Sequence, residues 1–102
     1  VFIKKIYSKM DELKKVFKII EDRKKNPKEG SYTNRLLNEG EDKICVKIQE
    51  ESKEVIKAAK KEGNKRLIEE IDDLIYHVFV LMVLRGLKFE DLEKEERKRM
   101  GR

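Results

Sequence analysis

Residues 65–86 read KRLIEEIDDLIYHVFVLMVLRG, and the fold turns on how that stretch is read. Apolar residues recur at helical spacing, no proline interrupts them, and Gly86 stands where a left-handed stop is needed. The stretch therefore predicts one long helix from about 65 to 85. On a helical wheel Glu70, Asp73 and His77 share one strip, while Ile68, Ile71, Ile75, Phe79 and Met82 fill the sector expected to face the core. The second half, LIYHVFVLMVL, is apolar on nearly every side, so it is expected to be buried all round. A chain of 102 residues has few other apolar faces to cover it. A second copy of the chain is the simplest cover, with Val80, Val83 or Leu84 near the seam.

The KEGN turn at residues 61–64 joins this helix to another, expected over about 43–61. Two long helices joined so tightly must lie antiparallel and adjacent. Asp42 is placed to cap the earlier helix, and Ile44, Ile48, Val55 and Ala59 give it a core face. Further out, SKMDELKKVFKIIEDRKKNP (8–27) predicts a first helix. Ser8 and Asp11 form a capping-box-like start, Leu13, Val16, Phe17 and Ile20 an apolar stripe, and Asn26-Pro27 a stop. PKEGSYT (27–33) reads as a loop, NRLLNEG (34–40) as a short helical piece closed by Gly40, and residues 90–99 as a last, charged helix. No strand pattern or internal repeat intervenes. The expected fold is all-α, an antiparallel bundle with two long central helices, shorter flanking ones and a dimeric assembly.

Composition supports one domain over residues 1–102. Charged residues make up 46% of the chain and hydrophobic ones 38%, a balance that favours helices with solvated outer faces. The net charge of +5 favours anionic partners, but acids are interleaved throughout, so neither a nucleic-acid surface nor a membrane surface is expected. The apolar run from Leu74 to Leu84 is too short to span a bilayer, and VFIKKIYSKM is too short and charged for a signal peptide. A soluble, cytoplasmic protein is expected. The single cysteine, Cys45, excludes a disulfide framework and is expected to be a small buried apolar residue.

The chemistry lies in a second stretch, KIQEESKEV (47–55). Glu50, Glu51 and Glu54 share a stripe with Lys43 and Lys47 at the border of the core face. The KEGN turn lies about ten residues from both Glu54 and Asp73, so at ~1.5 Å rise per residue these acids stand at similar heights. Glu51 and Glu54 are then expected to face Glu70 and Asp73 across a groove. Acids so gathered repel severely unless a cation lies among them. An all-oxygen donor set suits Mg²⁺, with Mn²⁺ as a substitute, and the adjacent lysines suit a polyphosphate. The plainer alternative is a set of solvated Glu–Lys pairs; matched acidic clusters on facing helices weigh against it.

The order Glu50-Glu51-x-x-Glu54 followed by Glu70-x-x-Asp73 resembles the signature of the all-α nucleoside triphosphate pyrophosphatases, the MazG-type superfamily. The surroundings, EDRKKNPKEGSYTNRLLNEGEDKICVKIQEESKEVIKAA and EEIDDLIYHVFVLMVLRGL, resemble the phosphoribosyl-ATP pyrophosphohydrolases of histidine biosynthesis over about residues 11–99. The resemblance implies Mg²⁺-dependent hydrolysis of phosphoribosyl-ATP to phosphoribosyl-AMP and pyrophosphate in an all-helical homodimer. It also implies that a cyclohydrolase, fused to this domain in many organisms and absent from this sequence, acts next. Carried over by position, Glu51, Glu54, Glu70 and Asp73 are the implied metal ligands. Glu50 is implied to orient or deprotonate water, or to serve as a further ligand. Lys43 and Lys47 would neutralise the leaving pyrophosphate, Ser31, Tyr32 and Thr33 would contact the nucleotide, and Arg23 would contact a phosphate. His77 is expected either to partner Asp73 or to touch the substrate. Asp72 departs from the pattern, where a small apolar residue is expected. Two rivals remain: a house-cleaning nucleoside triphosphate pyrophosphatase, which does not account for GSYT or DLIYH, and a non-enzymatic helical dimerisation module.

Overall fold

The computed structural model describes residues 12–101. Five helices follow one another, and no strand occurs among the described residues: α1 (Glu12–Lys25), α2 (Tyr32–Glu39), α3 (Glu41–Lys61), α4 (Asn64–Leu84) and α5 (Phe89–Arg99). The expected Ser8–Asp11 cap lies outside the described residues. Helices α3 and α4 form the antiparallel hairpin expected of the KEGN turn and pack against each other more extensively than any other pair. Gly63 makes that turn possible with φ of 86°, a left-handed conformation that side-chain-bearing residues enter at a cost.

Local chemistry moves several helix ends from their expected positions. Helix α2 begins at Tyr32 because Ser31 caps it, its hydroxyl accepting from the Asn34 backbone N–H at 3.2 Å. Tyr32 and Thr33 are therefore helical rather than part of the loop. Asp42 does not cap α3; it lies within the first turn, where its charge still complements the helix dipole, and Gly40 holds the cap position. Asp91 closes the start of α5, its carboxylate accepting from the Lys88 backbone N–H at 2.8 Å. Lys24 of α1 donates to Val83 O at 3.0 Å, satisfying a carbonyl at the end of α4.

The core gathers Phe17 and Ile20 from α1, Leu36 from α2, Ile44 from α3, and Phe79, Val80 and Val83 from α4. Phe17, Phe79 and Phe89 meet edge to face, with ring centroids 5.3–5.8 Å apart. This arrangement corrects the wheel. Val80 and Val83, expected near a subunit seam, are buried within the chain, whereas Ile68, expected to face the core, is 63% exposed. Helix α4 is not buried all round: Val78 is exposed and Ile71 and Leu74 only partly covered. The reason is that α4 has two apolar faces and α1 covers only one of them. Asp72 is exposed, so the polar residue at this unusual position needs no buried partner. Cys45, expected to be buried, is exposed on α3, because Ile44 occupies the inward position beside it.

Replacing Gly63 by alanine isolates the turn's conformational requirement, since an added Cβ meets nothing within 4 Å. Gly63→Ala is expected to lower unfolding free energy by about 1–3 kcal/mol, the cost of a Cβ at positive φ with extended ψ, a region that glycine alone enters readily. Gly63→Asn should lose as much, since asparagine's tolerance is for the left-handed helical region. Urea denaturation of the two variants checks the equality.

Candidate metal centre

The α3–α4 hairpin brings three of the expected acids together. One carboxylate oxygen from each of Glu51, Glu70 and Asp73 lies within 4.8 Å of the others. Glu51 comes from α3, and Glu70 and Asp73 from successive turns of α4. Glu70 is buried and Asp73 exposed, so the cluster runs from the helix interface out to solvent. Glu54 and Glu50 are not in this group. Glu54 is half-buried one turn further along α3, and Glu50 is directed to Lys47, whose ammonium donates to it at 3.0 Å.

The three acids are unequally compensated. Arg66, one turn before Glu70, bridges Glu69 and Glu70. Glu51 has a weaker partner, the Lys47 ammonium at 4.0 Å. Burial pushes the Glu51 carboxyl above its ordinary range, and the neighbouring Asp73 carboxylate raises it further; His77 and Lys47 act in the opposite direction. This is the electrostatic signature of a site short of positive charge. The donors fit a hard divalent cation. They are all carboxylate oxygens, the donor type that such cations prefer, and all three lie within 4.8 Å of one another.

Beside the cluster, Tyr32, Arg35, Lys43, Lys47 and Glu50 line a depression of about 210 Å³. Lys47 lies beside the acids, its ammonium 4.0 Å from Glu51, and Lys43 shares this depression with it. The GSYT hydroxyls are each engaged within the chain. Ser31 caps α2, Tyr32 meets His77 Nε2 at 3.0 Å, and Thr33 is buried against the Tyr76 hydroxyl. Arg23 lies elsewhere, lining a depression of about 330 Å³ with Lys28, Gly30 and Ser31, and pairs with Asp22 at 3.5 Å. His77 is buried, and its Nδ1 lies 2.7 Å from the Asp73 carbonyl oxygen; its partner is the backbone of Asp73, not the carboxylate.

Three residues that sequence reasoning passed over help to build the site. Asn34 donates to Arg23 O at 2.7 Å and accepts from Lys28 N at 2.9 Å, fixing the loop that carries Ser31. Tyr76 anchors Thr33, and Arg66 neutralises Glu70. Of these, only Arg66 carried a usable signal: it stands four residues before Glu70 on the same helix face.

The family model described as Phosphoribosyl-ATP pyrophosphohydrolase matches residues 13–100. The chain is 56% identical to the phosphoribosyl-ATP pyrophosphatase of Clostridium botulinum strain Hall, over 85% of this chain and 79% of that protein. It is 48% identical to the protein of the same name from Bacillus cytotoxicus, over 88% and 84% respectively. It is also 51% identical to part of the histidine biosynthesis bifunctional protein HisIE of Thermoanaerobacter pseudethanolicus, over 81% of this chain and 38% of that protein.

The raised Glu51 pKa has a definite consequence for stability without metal. Between the unfolded and folded pKa values the native state holds more protons, so this group's contribution to stability falls as pH rises through that window. In chelator, the wild type is expected to gain stability from this group as pH drops from neutral through the raised Glu51 pKa, the gain ending at the ordinary carboxylate range. Glu51→Gln should remove that gain and be the more stable protein at neutral pH. Urea midpoints across this pH range, measured for both proteins, read the difference.

Proposed function

This chain belongs to the phosphoribosyl-ATP pyrophosphohydrolase family, and from that premise we propose that it hydrolyses phosphoribosyl-ATP to phosphoribosyl-AMP and pyrophosphate in histidine biosynthesis. The observation that carries the reading is the convergence of Glu51, Glu70 and Asp73 from two antiparallel helices beside a lysine-lined depression. Glu51, Glu70 and Asp73 hold Mg²⁺, or Mn²⁺ in its place, and Glu54 joins them as the fourth carboxylate from the adjacent turn. When bound, the cation supplies Lewis acidity towards the phosphate oxygens and lowers the pKa of water.

The remaining chemistry falls to the chain. Water attacks the α-phosphorus, the bond to the oxygen bridging the α and β phosphates breaks, and the electron pair leaves with pyrophosphate. Glu50, exposed at the rim, accepts the proton of the attacking water. Lys43 and Lys47 face the anionic leaving group, and Lys47 is held ready by Glu50. Ser31, at the start of α2, faces the nucleotide, Arg23, near the end of α1, reaches a phosphate from the depression it shares with Ser31, and Tyr32 offers its ring face to the nucleotide. Thr33 serves from beneath by fixing α2. The product is the substrate of a cyclohydrolase.

The same reading includes a homodimer. Ile68, Ile71, Leu74 and Val78 of α4 are exposed or only partly covered, and apolar residues left open together favour an interface. A second copy applied there places two α4 helices together and the acidic clusters close to the seam.

Two experiments test the proposal. Pyrophosphate release from phosphoribosyl-ATP and from ordinary nucleoside triphosphates is measured with Mg²⁺ and with excess chelator. Release is expected from phosphoribosyl-ATP alone and only with metal. Asp73→Asn should lower kcat/KM about a hundredfold or more while leaving the protein folded. Hydrolysis that survives chelation, or a preference for ordinary triphosphates, would overturn the assignment. For the assembly, Val78→Asp is expected to convert a dimer into a monomer by light scattering, with activity falling in step. A fully active wild-type monomer at micromolar concentration would refute the dimer.

A further inference from the structure

His77 is the chain's one histidine, and it is buried with both ring nitrogens engaged. Nδ1 lies 2.7 Å from the carbonyl oxygen of Asp73, an atom that can only accept. Nδ1 must therefore carry the proton, and in the neutral ring Nε2 is left as an acceptor. Its partner at 3.0 Å is the Tyr32 hydroxyl, which consequently donates to it. The Tyr32 ring is fixed on other sides as well. It stacks with Tyr76 at 6.2 Å and carries the Arg35 guanidinium 5.2 Å from its centroid. Tyr76 is itself tied to Thr33. One imidazole thus joins the turn of α4 that bears Asp73 to the α2 wall that bears Tyr32 and Arg35.

We propose that His77 is a positioning residue, which through its Nδ1–H tautomer fixes the Tyr32 phenol and so holds the Tyr32–Arg35 wall in register with the Asp73 carboxylate. The Tyr32 hydroxyl is committed to His77, so a bound nucleotide meets Tyr32 through its ring. Arg35 becomes part of the substrate wall because its guanidinium lies on that fixed ring. The Nδ1 contact bears out the expected partnership with Asp73, made through its backbone carbonyl, and the Tyr32 contact adds a second partner that the sequence did not suggest. The role rests on the proposed hydrolysis.

The test exploits the single histidine. In protein labelled with ¹⁵N-histidine and free of any tag, the ring should give one imidazole signature, with Nδ1 protonated and Nε2 bare. Any other protonation pattern would overturn the proposal. Kinetics supplies the second arm. A glutamine amide can reproduce Nε2 and still accept from Tyr32, whereas an asparagine amide reproduces Nδ1 and leaves Tyr32 unpaired. His77→Gln is therefore expected to keep roughly five- to tenfold more kcat/KM than His77→Asn, with most of the difference in KM. In a Tyr32→Phe background that gap should close. Equal losses in the two variants, or a gap that persists without the phenol, would overturn the proposal. Should the His77 variants fail to fold, Tyr32→Phe alone carries the kinetic arm: a raised KM supports the role and an unchanged KM refutes it. The two readings fail separately. A wild type that releases no pyrophosphate defeats the hydrolysis, whereas normal turnover with the wrong tautomer defeats only the role of His77.

Discussion

Three carboxylates crowded at the junction of two helices are unfavourable on their own, and the antiparallel packing of α3 on α4 is what holds them there. Helix α4 by itself sets Glu70 beside Asp73, but nothing local brings Glu51 to them. The apolar contacts beneath them do, together with the Gly63 turn that sets the register between the helices. Arg66 relieves Glu70, whereas Glu51, pushed up first by burial and then by the Asp73 carboxylate, has only the Lys47 ammonium at 4.0 Å. Fold energy is thereby held as electrostatic tension in a cluster whose donors fit a divalent cation. The arrangement is a familiar form of preorganisation, in which the scaffold bears a cost that ligand binding offsets.

Much of this was legible in the sequence because helical periodicity and short turns act over short range. The spacing of Glu51, Glu70 and Asp73 around KEGN needed only helix rise and an antiparallel hairpin to place the acids opposite one another. The inward face of α4 was not legible in the same way. Its residues are apolar on two sides, and periodicity cannot say which side α1 will cover. The wheel's core sector held Ile68, Ile71, Ile75, Phe79 and Met82, whereas the core kept Phe79, added Val80 and Val83, and left Ile68 exposed. The deciding partners, Phe17 and Phe89, stand some sixty residues before and ten after Phe79, and only tertiary packing brings their rings together.

The roles of the GSYT residues were legible in type but not in direction. Hydroxyls near a nucleotide site invite assignment to the ligand, yet here each one first satisfies the protein. Ser31 ends a helix, Thr33 meets Tyr76, and Tyr32 meets His77. Such assignments depend on side-chain rotamers and on residues forty or more positions away, neither of which a local pattern encodes. Asn34 is the clearest case. As one amide among ordinary polar residues it gives no signal, and in the fold it fixes the loop at two backbone points.

The shortness of the connection between α3 and α4 has a consequence for how the protein is made. Glu51 and Asp73 are separated by about twenty residues of chain, most of them helical, so closing that loop costs little entropy compared with docking α1 onto the far end of α4. The hairpin that assembles the acids is thus a local tertiary contact, one that a growing or refolding chain can form early. Its carboxylates oppose each other from that moment. On the proposed function, divalent cations in the surrounding solution would then act on the order of folding events as well as on the finished site, favouring the closed hairpin before the aromatic cluster of Phe17, Phe79 and Phe89 has come together.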